Sequence, residues 1–371
     1  MKKAIVSVTS DLCTDQRVHR TALALQKSGY SVLLIGRKKK ESRALEPRPY
    51  ETKRMNLWFE KKVFFYAEYS IRLFFLLIKN KSDLFFANDL DTLLPNFLVS
   101  KVRKQKLMYD THEYFTAVPE LIHRPLVRSI WLRIEKWIFP KLNTIITVSD
   151  SIANKYEELY GKKVLVIRNI PLATEIGKLK SRTDLGIPEG KKIILYQGAG
   201  INIDRGLEEA IEAMQYVENA VLLIVGGGDI LIPLKEKVKH SGLAERILFA
   251  GKFSPEELKT ITPLADIGLS LDKGSNSNYR FSLPNKLFDY IHAGVPVLAS
   301  EVDEVKKLVS QFNTGTFIRN HDPKHIADKM IGMLGDEVQL RKWKLNCQYA
   351  AKELSWDKEE KLLIHAIQNS K

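Results

Sequence analysis

A chain of 371 residues with 44% hydrophobic and 27% charged side chains has the composition of a folded protein and exceeds the size at which one core keeps growing, so two domains are expected. It contains no low-complexity run or short-period repeat, which excludes disorder and solenoids. Cys13 and Cys347, its two cysteines, lie at opposite ends of the sequence, which excludes a disulfide framework, offers no zinc spacing and points to a reducing compartment.

The net charge of +14 is unevenly placed: residues 1–170 carry 31 Lys plus Arg against 17 Asp plus Glu, whereas residues 171–371 carry 27 of each. One half either faces an anionic partner or is simply a well-solvated surface. No nucleic-acid recognition motif accompanies the charge, so nucleic acid is not the expected partner.

The opening "MKKAIVSVTS" starts like a signal peptide, but its apolar run is too short and ends in a polar loop, so it reads as a first strand. "DQRVHRTALALQKSGY" follows as a helix with Val18, Ala22 and Leu25 at helical spacing and a stop at Gly29, and "SVLLIGR" as the next strand. That is a βαβ unit. "DLFFAND", "KLMYDTHE", "NTIITVSD" and "VLVIRNIP" continue it, each apolar and each ending in polar residues, as parallel strands do when their carboxyl ends open onto a cleft. A Rossmann-like α/β domain is expected over residues 1–170.

Within it, ten Lys or Arg between 37 and 62 precede an aromatic-rich segment ending near "FFLLIKNK". The segment is interrupted by Glu68 and Arg72 and is too short to span a bilayer. It has the pattern of an interfacial helix with a basic approach, or of a core helix that buries Phe64, Phe65, Ile71, Phe74 and Phe75.

After a linker ending in "SRTDLGIPEG", the alternation resumes. Strands are expected at "KKIILYQGAG", "AVLLIVGGGD", "RILFAGKF", "DIGLSLDK" and "VPVLAS", with helices near 206–217, 231–241, 255–262 and 284–293. This second Rossmann-like domain is expected over 171–351. The closing stretch is helical, with Trp356 near a break in the pattern.

In "SLPNKLFDYIHAGVPVLAS", Ser282 is placed to cap a helix of about ten residues, Pro284 suits its first turn and Gly294 the position after its end. The positive end of that helix follows a polar loop and can hold a phosphate, to which Lys286 adds charge. Asp289, just over one turn on, can accept hydrogen bonds from a ribose. An ordinary crossover helix would look the same. "YQGAGINIDRGLEEA" adds a glycine loop containing Gly198 and Gly200, and Arg205 at a helix start, where it can reach a phosphate. "LLIVGGGD" adds Gly227 among three glycines that permit close approach by a ligand or make a tight turn.

This ordered set of segments resembles the retaining GT-B glycosyltransferases of family 4 across nearly the whole second half, and the first half is similar in layout. The resemblance implies two Rossmann-like domains facing a central cleft, a nucleotide-sugar donor held mainly by the second and an acceptor docked mainly on the first. It implies no metal ion and no cofactor, the donor being UDP- or GDP-linked. It also implies that the last helix, about 352–371, packs back on the first domain.

By position, the resemblance makes Arg205 the residue that neutralises the donor diphosphate and Asp289 the second acid of the E-x7-E motif, on the ribose. Leu283, Pro284 and Asn285 become the loop and helix start that touch phosphate and sugar. Phe281 stands where the first glutamate would be, and Ala199 where an arginine commonly follows the first glycine.

In the first half, Asp15, Gln16 and Arg17 replace the glycines of the loop after the first strand; Arg17 is either a phosphate ligand or a solvated helix residue. His112, beyond a strand end in "YDTHEYF", matches the histidine near the transferred sugar. Asp110 and Glu113 are placed to orient it or to bind acceptor hydroxyls.

The expected activity is retaining transfer of a hexose-like unit to a glycan or lipid-linked acceptor in cell-surface polysaccharide or glycolipid synthesis. The protein is then cytoplasmic, with contact on an anionic inner membrane face. A catalytically silent scaffold in polysaccharide assembly, suggested by Phe281, and a GT-B sugar epimerase are the alternatives.

Overall fold

A computed structural model describes residues 1–172 and 177–370, so residues 173–176 of the expected linker and Lys371 of the expected last helix lie outside it. In chain order the first elements are β1 (Lys2–Asp11), α1 (Gln16–Lys27), β2 (Tyr30–Lys38), β3 (Glu51–Asn56), α2 (Lys62–Lys79), β4 (Leu84–Asn88) and α3 (Leu90–Arg103). They are followed by β5 (Lys106–Thr111), α4 (Pro119–Ile122), α5 (Pro125–Ile138), β6 (Thr144–Thr147), α6 (Asp150–Tyr160) and β7 (Leu165–Val166).

Then come β8 (Lys192–Gly198), α7 (Leu207–Ala213), β9 (Ala220–Gly226), α8 (Leu231–Lys239), β10 (Ile247–Gly251), α9 (Pro255–Ile261), β11 (Ile267–Ser270), α10 (Ser277–Phe281) and α11 (Asn285–His292). The last are β12 (Val297–Ser300), α12 (Asp303–Phe312), β13 (Gly315–Ile318), α13 (Pro323–Gly335), α14 (Glu337–Glu353) and α15 (Trp356–Gln368).

The chain forms two compact units, residues 1–169 with 357–371, and residues 170–356. The first holds a seven-stranded sheet in the order β3-β2-β1-β4-β5-β6-β7 and the second a six-stranded sheet in the order β10-β9-β8-β11-β12-β13; neighbouring strands in both are parallel. In each sheet the strand order reverses beside the first strand, between β1 and β4 and between β8 and β11. A crevice opens there at the carboxyl ends, because crossovers leave in opposite directions.

Strand pleating divides the core of the second unit. Ile194 and Tyr196 of β8 join one apolar cluster with α7 and α13, while Ile193 and Leu195 join another with α11, α12 and α14. In the first unit Phe65, Tyr69, Leu73 and Leu77 of α2 pack with Ile5, Leu33 and Ile35. Those positions are core, whereas Phe64, Ile71 and Phe75 on the same helix are exposed.

Two local expectations are corrected. The basic stretch after β2 contains β3, paired to β2 from Leu33–Glu51 to Lys38–Asn56; it lies at the edge of the sheet, and its charged residues leave it mostly exposed, as edge strands are. Ser282 does not cap the helix that follows it. Its hydroxyl donates to Tyr279 O, closing α10, and α11 is an eight-residue helix that begins after Pro284 with no side-chain cap. Pro284 fixes the extended backbone at the cap, one position earlier than the first turn. Gly294 lies beyond the helix end with φ +70°, the left-handed stop that glycine supplies.

Candidate functional site

In the second unit, polar groups collect where β8 and β11 end. Asp204 and Gly206 both take positive φ, 66° and 76°, and this doubled turn presents Arg205 between them. A Cβ on Gly206 would fall 2.3 Å from Leu271 O, so the turn fits against β11 only with glycine there. Arg205 Nη1 donates to Asp272 Oδ1 at 2.8 Å, and Lys286 Nζ lies 3.1 Å from Asp272 Oδ2. Asp272 thus ties Arg205 to the first turn of α11. Arg205 also lies over the Tyr279 ring and Lys286 over the Tyr196 ring.

Burial pushes the Asp272 carboxyl up, but Lys286 and then Arg205 outweigh it and hold it below its ordinary value. Burial likewise lowers the Lys286 ammonium, against the pull of Asp272.

Tyr290 fixes the placement of α11. Its buried hydroxyl accepts from Gln197 N at 3.1 Å and points between Leu195 O and Leu269 O, and its ring covers Gly268, where a Cβ would come within 2.6 Å. Next to it in sequence, Asp289 accepts from Gln197 Nε2 at 2.9 Å, and Gln197 Oε1 accepts from Thr262. Leu283 is buried in the core, and Asn285 is exposed at the helix start.

The glycine cluster makes a tight turn, the second of the two uses expected of it. A Cβ on Gly226 would fall 1.8 Å from Gly198 O, and one on Gly228 2.0 Å from Ile201 O. Gly227 N donates to Gly198 O and Ile201 N to Gly227 O. The cluster therefore locks the turn after β9 against the loop after β8, which carries Gly198 and the exposed Gly200.

In the first unit the crevice beside β1 and β4 is acidic. Asp89, at the end of β4, has φ 61° and ψ 164°, a conformation that only glycine adopts without strain. Its carboxylate accepts from His112 N at 2.9 Å and lies 3.2 Å from His112 Nδ1; His112 Nε2 lies 3.4 Å from Asp110 Oδ2 and 3.2 Å from Asn88 Oδ1. Burial lowers the imidazole, but Asp89 and Asp110 outweigh it and push His112 up to about 9. Asp91, buried beside them, accepts from Thr9 Oγ1 at 2.6 Å and is pushed up to about 7 by burial and by Asp89. Glu113 follows on the loop, where its carbonyl accepts from Thr111.

Arg17 is not a solvated helix residue, and its guanidinium is already engaged within the protein. It is buried, forks onto Asp110 at 2.9 and 2.7 Å and donates a third bond to Ile167 O. Asp15 caps α1, accepting from Val18 N and from Ser10 Oγ, and Gln16 opens the helix. The α1 start thus already carries an anion of its own, which disfavours a phosphate there.

Asp89, Asp91 and Asp272 were not singled out from the sequence. The available signal was position: all three stand just beyond apolar runs, in "DLFFANDLD" and "DIGLSLD", where parallel strands end.

Comparison with known proteins covers both units. The family described as Glycosyltransferase Family 4 matches residues 15–170, and Glycosyl transferases group 1 matches residues 177–353. The D-inositol 3-phosphate glycosyltransferase of Nocardia farcinica is 26% identical over 60% of this chain and 51% of its own length. The phosphatidyl-myo-inositol mannosyltransferase of Mycobacterium leprae is 25% identical over 57% and 55%. The chain thus spans about half the length of these curated relatives.

Among solved structures, sucrose-phosphate synthase of Thermosynechococcus elongatus superposes with a TM-score of 0.78 at 18% identity, covering 99% of this chain and 98% of that one. HepE of Anabaena, in complex with UDP and glucose, gives 0.75 at 14% identity over the whole of both chains. With both units matched in sequence and the same fold found in these structures, the chain belongs to the group 1 glycosyl transferases of GT-B fold.

Proposed function

We propose that this protein is a retaining, metal-independent glycosyltransferase. It takes a UDP- or GDP-linked sugar on its second unit and passes a hexose-like unit to a glycan or lipid-linked acceptor, in the synthesis of a cell-surface polysaccharide or glycolipid. The observation that carries this reading is Arg205, held through Asp272 beside the uncapped start of α11 at the carboxyl edge of the sheet. A guanidinium and a helix amino end are the groups that steady a departing diphosphate. Relatives named for inositol-phosphate and phosphatidylinositol acceptors, and a neighbour bound to UDP and glucose, support the donor and acceptor classes.

As the bond between the sugar and the phosphate breaks, negative charge grows on the diphosphate, and Arg205 and the α11 dipole oppose it. Asp289 accepts from the ribose hydroxyls. His112, between two aspartates, is an imidazolium that donates to sugar hydroxyls and takes no proton. The acceptor proton passes to the leaving phosphate on the same face, which preserves the anomeric configuration.

A lipid-linked acceptor fits the surface of the first unit. Phe64, Ile71, Phe75 and Ile78 form an exposed stripe on α2, and Leu126, Ile130 and Trp137 form another on α5. Tyr66 meets Trp131 edge-on, bringing the two helices together, and right-handed crossovers put both on one face of the sheet. Arg124, Arg128, Arg133 and Lys136 lie on or beside α5. Among the described residues no helix is long and apolar enough to cross a membrane, so the contact is peripheral.

The reading is tested by thermal shift with UDP, GDP, ADP and their sugars, followed by product analysis. A bound donor raises the melting temperature, and Arg205→Ala lowers turnover by about 10²- to 10³-fold. Silence across the panel favours the scaffold, and turnover unchanged in Arg205→Ala removes its assigned role.

A further inference from the structure

An ion taken out of water without compensation costs several kcal/mol, so buried charges are normally balanced. The group around Asp272 is not. Asp272 is 1% exposed and Lys286 8%, and Arg205, at 28%, shares the same carboxylate: two cations meet one anion. The neighbouring Lys273 is committed elsewhere, 2.6 Å from Glu209. The faces of Tyr196 and Tyr279 offset part of the excess through their quadrupoles, but bring no charge. Arg205 Nε is buried and has no hydrogen-bond partner among the described residues. The positive end of α11, with no side-chain cap, adds to the same sign.

We propose that Lys286 is a second diphosphate ligand beside Arg205, and that Asp272 is an internal counter-ion which aims both cations until a nucleoside diphosphate draws them off it. The inference rests on the donor-site reading above and adds to it how the grip is built. Asp272 keeps two flexible side chains converged on one point before any ligand arrives, which lowers the ordering cost of binding. The surplus positive charge is met when the diphosphate enters. Ala199, exposed where the chain leaves β8, brings no cation, so the second one comes from the helix.

Titration calorimetry of the full chain with UDP and uridine, and with GDP and guanosine, separates the phosphate contribution from that of the base. In Lys286→Met the diphosphate loses about 10- to 100-fold in affinity, the worth of a charge-assisted hydrogen bond, while the nucleoside binds as before. Asp272 keeps Arg205 in this variant, so no buried acid is stranded, and Lys286→Gln, which retains a donor to Asp272 without the charge, gives the same loss. A ratio of diphosphate to nucleoside affinity unchanged in both variants overturns the inference and leaves the donor reading standing. Failure of the unaltered protein to bind any of the four compounds overturns both.

Discussion

At the scale of single residues, the first unit spends strain and charge on His112. Asp89 adopts its glycine-like backbone at the point where its carboxylate meets both the backbone and the ring of His112. Arg17 and His112 together hold the Asp110 carboxyl well below its ordinary value despite its burial. With His112 raised to about 9, the stability it contributes is full below its unfolded value near 6.5 and fades as pH climbs through 9. An NMR titration of the ring should give a midpoint near 9, falling by at least one unit in Asp89→Asn; a midpoint below 7 in the unaltered protein defeats the imidazolium assignment.

The sequence displays His112 because it lies just past a strand end and Arg205 because it stands between a glycine loop and a helix start. It hides their counter-ions because Asp89 and Asp272 lie on other strands, and which strand ends meet is decided by sheet order. Arg17 shows the same limit. It closes the polar run Asp15-Gln16-Arg17, but its partner Asp110 arrives from 93 positions away.

Among elements, α5 carries a buried liability. Glu135 faces inward, accepting from Tyr160 Oη at 2.6 Å and Tyr156 Oη at 3.4 Å, and burial pushes it up to about 7 against those hydrogen bonds. A carboxyl raised this way costs stability as pH rises above its unfolded value near 4.5, with the full cost reached above 7, on the order of 3 kcal/mol. Glu135→Gln should therefore raise the melting temperature at pH 8 and leave it unchanged near pH 4. Equal shifts at both values remove titration as the cause.

Element types were readable wherever apolar runs alternated with amphipathic ones, as along β8, α7 and β9. β3 escaped because an edge strand buries little: of its six residues only Met55 is buried. The boundary of α11 shifted because serine caps and proline starts are local preferences, whereas the α10 turn just upstream claimed Ser282 for itself.

For the molecule as a whole, the first half carries both the excess positive charge and exposed apolar side chains that the sequence alone showed only in part. The α2 stripe is visible once Phe65, Tyr69, Leu73 and Leu77 are assigned inward; the α5 stripe, Leu126, Ile130 and Trp137, was missed because it lies among arginines. Vesicles containing phosphatidylglycerol should retain the protein at low salt and release it at high salt, and Phe75→Glu with Trp137→Glu should weaken retention at least several-fold. Equal retention on neutral phosphatidylcholine vesicles, or none on either, counts against a basic membrane face. The fold class was legible because two runs of βα alternation need two parallel sheets; the match of each half to its own glycosyltransferase family model agrees with it.

The last helix has a consequence for synthesis. α15 lies almost wholly in the first unit, where Glu360 pairs with Lys27 and Glu359 accepts from Arg168 N, while everything from Ile170 to Trp356 belongs to the second. During synthesis, the whole of the second unit is therefore made before α15 can complete the first. The α1 face waits uncovered until α15 emerges, and truncation ahead of Asp357 would leave the earlier-made unit, not the later-made one, incomplete.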